Sequence, residues 1–282
     1  MVLFPPAKLN LGLHVIGKRN DGYHDLESIF LPTDWTDVLE VNRNDNIPEG
    51  KLQATYTGLD IPGEEASNLV TQAHRLLAEQ FDLPGLSLHL HKVIPMGAGL
   101  GGGSADGTYT LRAINALCGL GLDRSELLDF AAQLGSDCPF FVDAVPALVQ
   151  GRGEHVLPLP RQLPLQNQWI LIANPGIHVA TATAFSEVRP SPRSTSWDAL
   201  NGTPIQHWDQ IIGNDFERGV CAHHPRVKEL LQQLKDGGAS YCQMTGSGST
   251  VFGVFDSEVQ ARRLQQHLTC TTHCGPALVD MH

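Results

Sequence analysis

The chain has 282 residues, of which 41% are hydrophobic and 17% are charged, and its formal net charge is −11. This composition is typical of a globular protein with a sizeable core, and the length fits one large domain or two ordinary ones. The acidic balance argues against a nucleic-acid partner or an anionic membrane surface, since both need basic patches, although a few local cations can hold a small anionic substrate.

The sequence also predicts a cytoplasmic protein. No apolar stretch reaches the roughly 18 residues that suggest a membrane span, and the N-terminus lacks the pattern of a signal peptide. The six cysteines show no spacing typical of a disulfide framework. Some of them crowd the C-terminus with histidines, but their spacing matches no structural zinc pattern. The residues in question are His267, Cys270, His273 and Cys274.

The first predicted element is a strand. Residues 7–15 alternate strictly between apolar and polar side chains, which predicts a half-buried strand with Lys8 and Asn10 on its wet face. "RNDG" at 19–22 is a hairpin turn signal, and it leads into a second strand over 23–31. Further strands are predicted at 38–41, 51–56 and 86–91. Helices are predicted at 69–81, 108–117 and 124–134, the last opened by the capping box "DRSE".

The composition changes near residue 158, where the proline-rich run "LPLPRQLPLQ" predicts a linker. A strand is expected from Trp169, a loop over 186–206, a helix over 225–235, two strands around a glycine turn over 241–255, and a last helix over 257–268. This mixture of strands and helices predicts an α+β fold with two domains, residues 1–158 and 159–282.

The stretch "IPMGAGLGGGSADG" at 94–107 contains six glycines and no lysine or arginine. Each ordered glycine costs roughly 0.5–1 kcal/mol of conformational entropy, so a surface turn that needs one or two glycines does not explain the rest. Successive backbone N–H groups at the start of a helix can hold a phosphate without any side-chain charge. The stretch is therefore interpreted as a phosphate-binding loop.

Other glycine motifs fit less well. "GAGLGG" at 97–102 matches the dinucleotide fingerprint, but the preceding strand alternates and Pro95 and Met96 intervene, unlike a buried Rossmann strand. The run from Gly12 to Lys18 approaches a Walker A loop, but Arg19 replaces the Ser or Thr that would hold magnesium. A glycine-rich structural turn stays open as the remaining alternative.

Residues 95–105, "PMGAGLGGGSA", resemble the phosphate loop of the GHMP kinases, the superfamily of galactokinase, homoserine kinase and mevalonate kinase. Two further segments are similar to the other motifs of that superfamily, namely "PAKLNL" at 6–11 and "MTGSGSTVF" at 244–252. The three occur in family order and span nearly the whole chain. The resemblance implies a GHMP kinase fold, with an N-terminal ATP-binding kinase domain and a C-terminal α/β plait.

Additional segments resemble one branch of the superfamily, which phosphorylates 4-diphosphocytidyl-2-C-methyl-D-erythritol. They are "PAKLNLGL", "KRNDGYHDL", "SNLV", "LGSDCPFF", "NPG" and "GNDFE". The resemblance implies that ATP phosphorylates the tertiary 2-hydroxyl of that acceptor in the methylerythritol phosphate route to isoprenoid precursors, with Mg²⁺ accompanying ATP and a monomer or homodimer as the assembly. Two departures stand out. Ala105 replaces a second Ser of many members, and residues 107–109 replace a run of small alanines.

The resemblance also implies roles for individual residues. Lys8 would stabilise the charge that develops on the acceptor oxygen, and Asp137 would orient or deprotonate the acceptor hydroxyl. The alternatives are a solvated strand lysine and a helix N-cap with Pro139 in the first turn. Residues expected to bind ATP are Pro95, Met96, Gly97, Ala98, Gly99, Leu100, Gly101, Gly102, Gly103, Ser104 and Ala105, with Asn68, Leu69 and Lys92 around adenine.

The acceptor is expected to bind through aromatic and polar side chains. Tyr23 and Phe185 would sandwich the cytosine, His24 would hydrogen-bond its edge, and Asn10 and Thr181 complete the predicted set. The resemblance identifies no metal ligands. Two other functions stay open: a GHMP kinase of the homoserine or mevalonate type, and a nucleotide sensor that performs no catalysis.

Overall fold

The computed structural model describes residues 1–192, 195 and 197–279. The chain forms two compact units, each assembled from separate segments. Unit 1 comprises Met1–Ala7, Thr36–Met96 and Gly101–Ala144, and unit 2 comprises Lys8–Trp35, Gly97–Leu100 and the chain from Val145 onward. The domain boundary at residue 158 stays a prediction. No helix among the described residues is long and apolar enough to cross a membrane.

The strands and helices are as follows, in chain order. The strands are β1 (Val2–Leu3), β2 (Pro6–Lys18), β3 (His24–Thr36), β4 (Val38–Arg43), β5 (Leu52–Gly58), β6 (Leu86–Lys92), β7 (Ala147–Gly151), β8 (His155–Pro158), β9 (Trp169–Asn174), β10 (Tyr241–Met244), β11 (Val251–Phe255) and β12 (Thr271–Pro276). The α-helices are α1 (Leu69–Ala78), α2 (Gly102–Cys118), α3 (Arg124–Leu134), α4 (Phe140–Asp143), α5 (Thr181–Glu187), α6 (Glu217–His223), α7 (Pro225–Asp236) and α8 (Glu258–Gln265). Short 3₁₀ helices occupy Glu65–Ser67, Trp197–Gly202 and Ile205–Gln210.

Unit 1 packs helices on one sheet. The strand order is β1-β4-β6-β5, with β5 parallel and β4 antiparallel to β6. In β6 the leucines at 86, 88 and 90 are buried, which places one face of the strand in the core. Helix α1 buries Val70, Ala73 and Leu77, which recur at helical spacing. These side chains belong to one core cluster that also contains residues of α2 and α3.

Unit 2 contains two four-stranded sheets, of order β2-β3-β7-β8 and β10-β11-β9-β12. In the second sheet β9 pairs antiparallel with both β11 and β12. Helices α7 and α8 contact the strands of this sheet. The core cluster of this unit includes Leu13 and Val15 from β2, Leu171 from β9 and Val251 from β11. Apolar burial in each unit is the main source of its stability.

Most predicted elements are present, with differences at their ends. The capping box of α3 is confirmed, because Asp123 Oδ1 accepts from the Glu126 N–H at 2.9 Å and Glu126 Oε2 accepts from the Asp123 N–H at 2.8 Å. Helix α2 begins at Gly102, six residues before the predicted start at Thr108. The segment 186–206, predicted as a loop, contains parts of one α-helix and two 3₁₀ helices, and its positions 193, 194 and 196 lie outside the described residues.

Candidate active site

Three glycines of the loop between β6 and α2 are required by backbone conformation. Gly97, Gly99 and Gly101 have φ values of 62°, 78° and 69°, in the left-handed region that favours glycine. Gly99 also packs tightly, since a Cβ there would lie 2.3 Å from the Thr245 carbonyl oxygen. These glycines therefore shape the loop whether or not a ligand is bound.

The next two glycines form the first turn of α2, and they differ from each other. A Cβ on Gly102 would lie 3.0 Å from both Lys92 Nζ and Ile94 Cγ2, so the tight packing there favours glycine. A Cβ on Gly103 would meet nothing within 4 Å. The first N–H groups of a helix have no intrahelical acceptor, and the helix dipole favours an anion at that end. The open backbone at Gly103 is thus the position where a phosphate could approach.

Ala105 and Ser104 have different environments in this turn. Ala105 is fully buried and its N–H donates to the Gly101 carbonyl at 3.0 Å, so residue 105 faces the core of unit 1. Ser104 is half-buried, and its side chain slightly opposes the rise in the pKa of the Cys138 thiol. Burial nevertheless raises the pKa of Cys138 to about 12, which keeps this thiol protonated and unreactive.

The residues predicted around adenine lie in unit 1. The Asn68 side chain caps α1 by accepting from the Val70 N–H at 3.1 Å. Leu69 packs against α2 where a Cβ on Gly107 would lie 2.9 Å from Leu69 Cβ, which explains the glycine in place of the family's alanine. The Lys92 side chain is fully buried and its ammonium is bound by carboxylates, so it does not point to solvent. Adenine binding by Asn68, Leu69 and Lys92 stays a prediction.

Lys8 lies on β2 and is only 3% exposed, which excludes the alternative of a solvated strand lysine. Its Nζ donates to Asn10 Oδ1 at 2.7 Å and lies 4.5 Å from the centroid of the Phe30 ring. The expectation of a wet strand face was wrong, because β2 is buried on both faces from Pro6 to Val15. A buried ammonium exerts a stronger field than an exposed one, as the surrounding medium is less polarisable.

Asn10 links Lys8 to the C-terminal glycine turn. Its N–H donates to Thr245 Oγ1 at 2.9 Å, and Thr245 Oγ1 lies 3.2 Å from Asn10 Oδ1. Its amide nitrogen donates to Ser28 Oγ at 2.9 Å. Both amide atoms are therefore occupied within unit 2, and the orientation of the Lys8 ammonium depends on them. Thr245 was not among the predicted site residues, although it belongs to the third motif.

The glycine turn between β10 and β11 is held by the segment "GNDFE". Asn214 donates from Nδ2 to the carbonyls of Met244 and Gly246, both at 2.8 Å, and accepts from the Phe216 N–H at 2.9 Å. Glu217 Oε2 accepts from the Met244 N–H at 2.8 Å. From the sequence alone, this motif indicated only a resemblance to one branch of the GHMP kinases. Its contacts in the structure show that it fixes the conformation of the glycine turn.

The predicted acceptor residues Tyr23, His24 and Phe185 lie in unit 2. The His24 and Phe185 rings are stacked, with centroids 4.8 Å apart and planes at 21°. The Tyr23 ring is 55% exposed, and the Arg152 guanidinium lies 5.0 Å from its centroid. A base that stacks on either covered face must displace the imidazole or the guanidinium. The cytosine sandwich between Tyr23 and Phe185 stays a prediction.

Thr181 is exposed at the start of α5, and its Oγ1 lies 3.3 Å from Ser247 Oγ in the C-terminal glycine turn. Both hydroxyls can turn toward a polar ligand, because each can donate or accept. Its predicted role in acceptor binding stays a prediction.

Asp137 lies in the turn between α3 and α4 in unit 1, and it is half-buried. The N-cap of α4 is Pro139 and no side chain caps this helix, so the alternative that Asp137 is an N-cap was wrong. The catalytic role of Asp137 stays a prediction.

Among the histidines and cysteines near the C-terminus, His273 makes two side-chain contacts. His273 Nε2 hydrogen-bonds Asp34 Oδ1 at 2.7 Å, and its ring stacks on Trp35 at a centroid distance of 5.2 Å. Among residues 1–192, 195 and 197–279, no group of three or more His, Cys, Asp or Glu side chains could hold a metal ion.

Two family models match the chain. They are the GHMP kinases N terminal domain over residues 68–151 and the GHMP kinases C terminal over residues 205–273. The glycine loop that opens α2, and the C-terminal glycine turn that bonds to β2, are consistent with this class. The fold is that of a GHMP kinase.

Curated relatives narrow the assignment. A 4-diphosphocytidyl-2-C-methyl-D-erythritol kinase from Cytophaga hutchinsonii is 41% identical over 92% of this chain and 93% of its own length. A protein of the same name from Parabacteroides distasonis is 40% identical over 91% of this chain and 92% of its own. The chain therefore belongs to the 4-diphosphocytidyl-2-C-methyl-D-erythritol kinase family, as the sequence motifs predicted.

Solved structures agree with this assignment. The crystal structure of a 4-(cytidine 5'-diphospho)-2C-methyl-D-erythritol kinase superposes with a TM-score of 0.82 at 30% identity, covering 98% of both chains. A homoserine kinase from Cytophaga hutchinsonii has a TM-score of 0.73 at 18% identity, covering 100% of this chain and 95% of its own. The latter likeness concerns the fold alone. The predicted α+β GHMP kinase fold is confirmed.

Proposed function

We propose that this chain transfers the γ-phosphoryl group of ATP to the 2-hydroxyl of 4-diphosphocytidyl-2-C-methyl-D-erythritol, a step of the methylerythritol phosphate route to isoprenoid precursors. The observation that carries the proposal is the 41% identity, over nearly the full length of both chains, to a kinase named for that acceptor. The loop that begins α2, with its open backbone at Gly103, is compatible with a bound triphosphate.

Phosphoryl transfer depends mainly on positioning and on charge stabilisation, since the protein performs little covalent chemistry. The first N–H groups of α2 hold the phosphates of ATP. The Lys8 ammonium, oriented by Asn10 and shielded from solvent, stabilises negative charge during transfer. Asp137 orients the acceptor hydroxyl and accepts its proton. These roles are those that the family motifs assign to the two residues.

The nucleotide half of the acceptor binds in unit 2. Tyr23, His24 and Phe185 present aromatic rings on which a cytosine can stack once the covering group moves aside. Thr181 and Asn10 are the polar residues that the family resemblance assigns to acceptor binding. Arg152, beside Tyr23, supplies a positive charge that suits an acceptor carrying a diphosphate.

Mg²⁺ carried by ATP would neutralise part of the charge on the phosphates. Within the described part of the chain there is no preassembled group of metal-ligating side chains. That arrangement fits Mg²⁺, which commonly keeps several waters and takes much of its coordination from substrate phosphates.

The cytoplasm is the proposed location. All six cysteines are free thiols, which suits a reducing compartment. The expectation of a monomer or homodimer stays a prediction.

An acceptor panel tests the proposed function. A coupled assay measures ATP consumption in separate reactions with 4-diphosphocytidyl-2-C-methyl-D-erythritol, homoserine or mevalonate as the acceptor. We expect the purified chain to consume ATP only in the reaction with 4-diphosphocytidyl-2-C-methyl-D-erythritol. Turnover with homoserine or mevalonate alone would indicate a different GHMP kinase. ATP binding without turnover on any acceptor would indicate a nucleotide sensor.

Removing one aromatic ring should weaken acceptor binding. Base stacking contributes about 1–3 kcal/mol per ring, so Tyr23→Ala and Phe185→Ala should each raise the acceptor KM by roughly 5- to 150-fold. The KM for ATP should not change, and kcat should change little if the stack is equal in the ground and transition states. Steady-state kinetics with each substrate varied in turn measures both constants.

Leu157→Ala is the matched control, because Leu157 is a 53% exposed apolar side chain of unit 2 outside the proposed pocket. An acceptor KM that stays at the wild-type value in both aromatic variants would contradict the pocket, and the acceptor would then be a smaller alcohol.

A further inference from the structure

Unit 1 contains a buried cluster of three charged side chains, Asp37, Lys92 and Asp106, here called the ion cluster. The Lys92 Nζ donates to Asp37 Oδ2 and, at 2.8 Å, to Asp106 Oδ2. The side chains of Lys92 and Asp37 are fully buried, and that of Asp106 is 3% exposed. Asp37 lies at the junction of β3 and β4, Lys92 ends β6, and Asp106 lies in the second turn of α2.

The ion cluster joins the two ends of the phosphate loop. Asp37 Oδ1 accepts from the N–H groups of Val93 at 2.6 Å and Ile94 at 2.9 Å, the last residues before the loop. Asp106 lies on α2 directly after the loop, and Lys92 spans from one end to the other. The backbone before the loop and the helix after it are therefore held by one ammonium.

The glycine at position 102 is matched to this ammonium. A Cβ there would lie 3.0 Å from Lys92 Nζ, tighter than an ordinary van der Waals contact. The first turn of α2 thus rests directly on the cluster. A shift of the ammonium would move the N–H groups that face the phosphates.

Three buried charged side chains are an energetically unfavourable way to pack a protein core. Burying charges costs desolvation energy, and well-packed apolar side chains of similar volume are often equally stabilising. Burial raises the pKa of Asp106 to about 7, even though Lys92 opposes that shift. Asp106 Oδ1 is buried and has no hydrogen-bond partner within the described residues. A purely stabilising role accounts poorly for these features.

We propose that Asp37, Lys92 and Asp106 are positioning residues for ATP, which hold the two ends of the phosphate loop at the separation that the triphosphate requires. They act through the backbone of residues 93–94 and 102–103 and do not themselves touch the substrate. For the Lys92 ammonium this assignment is the alternative to the predicted contact with adenine, and it rests on the proposed function.

The test compares variants of Asp106. Asp106→Ala removes one carboxylate and leaves Lys92 paired with Asp37, so no unpaired charge is buried. We expect the Kd for ATP, measured by titration calorimetry without acceptor, to rise by about tenfold or more, because small displacements of binding groups have large effects. Asp106→Asn keeps an oxygen that can accept from Lys92, and it should restore the Kd to within about threefold of wild type.

Ile114→Ala is the matched control. Ile114 is a fully buried residue of the same helix, about two turns after Asp106. It should lower the melting temperature at least as much as Asp106→Ala while leaving the Kd for ATP unchanged. In steady-state kinetics, Asp106→Ala should raise the KM for ATP and leave the acceptor KM at its wild-type value. If Asp106→Ala fails to fold, Asp106→Ser, whose hydroxyl is too short to reach Lys92, should show the same loss.

Equal ATP affinity in wild type and Asp106→Ala would overturn the proposal, and so would an equal loss in Ile114→Ala. No rescue by Asp106→Asn would also overturn it, since the link to Lys92 would then not matter. Because the affinity is measured without acceptor, failure of the acceptor panel would contradict the proposed function and leave this comparison intact.

Discussion

Asp137→Asn is expected to lower kcat by roughly 10²- to 10⁴-fold, the range typical of a lost general base. Asparagine has the same shape as aspartate but cannot accept a proton from the acceptor hydroxyl. The Kd for ATP should stay within about twofold of wild type, because the change leaves the N–H groups that open α2 in place. Single-turnover kinetics with saturating ATP and acceptor would isolate the chemical step from product release.

Asp143→Asn is the matched control for this substitution. Asp143 is a second carboxylate of unit 1, located on α4 and paired with Arg124 at the surface. The loss of an exposed ion pair affects stability by less than about 1 kcal/mol, and it should not affect kcat. A kcat for Asp137→Asn within threefold of wild type would remove Asp137 from the mechanism. A large rise in the Kd for ATP would show that Asp137 contributes to the nucleotide site.

The N-terminal strand shows what alternation can and cannot predict. Its polar residues were identified correctly as one face, and Lys8 and Asn10 do lie there. The sequence could not show that this face is covered, because the residues that contact it are distant in the chain; Thr245, for example, hydrogen-bonds Asn10 across 235 positions. A period of two reports which residues share a face, and it carries no information about what packs on that face.

The glycine loop shows a second limit of prediction from the sequence. The abundance of glycine in the loop predicted close approach of a ligand, but glycine is needed at several of these positions for other reasons. Gly99 and Gly101 adopt left-handed backbone, and Gly102 packs on Lys92. Local composition cannot separate these causes, since conformation, packing and ligand contact all select glycine. The ion cluster was missed for a related reason, as its three members are ordinary charged residues spread from 37 to 106.

Gly103→Val is expected to raise the Kd for ATP by roughly 10²- to 10⁴-fold, since losing two hydrogen bonds to a charged phosphate costs about 1.5–3 kcal/mol each. The reasoning is specific to this position. Gly103 has no protein atom within 4 Å of its Cβ position and its φ is not left-handed, so the protein itself tolerates a side chain there. Only a bound ligand would be obstructed.

Gly202→Val is the matched control, because Gly202 also has an open Cβ position and no left-handed φ, and it ends a 3₁₀ helix. Gly101→Val is a poor probe, since its φ of 69° would strain any side chain and destabilise the protein without a ligand.

For Gly103→Val we expect a melting temperature close to that of wild type in the absence of ATP. We also expect a loss of the stabilisation that ATP gives to wild type, because a ligand stabilises only the state that it binds. Thermal melts over a range of ATP concentrations measure both quantities in one experiment. If Gly103→Val keeps the ATP-dependent shift of the melting temperature, the triphosphate does not lie against the first turn of α2. The loop glycines would then serve backbone conformation and packing alone.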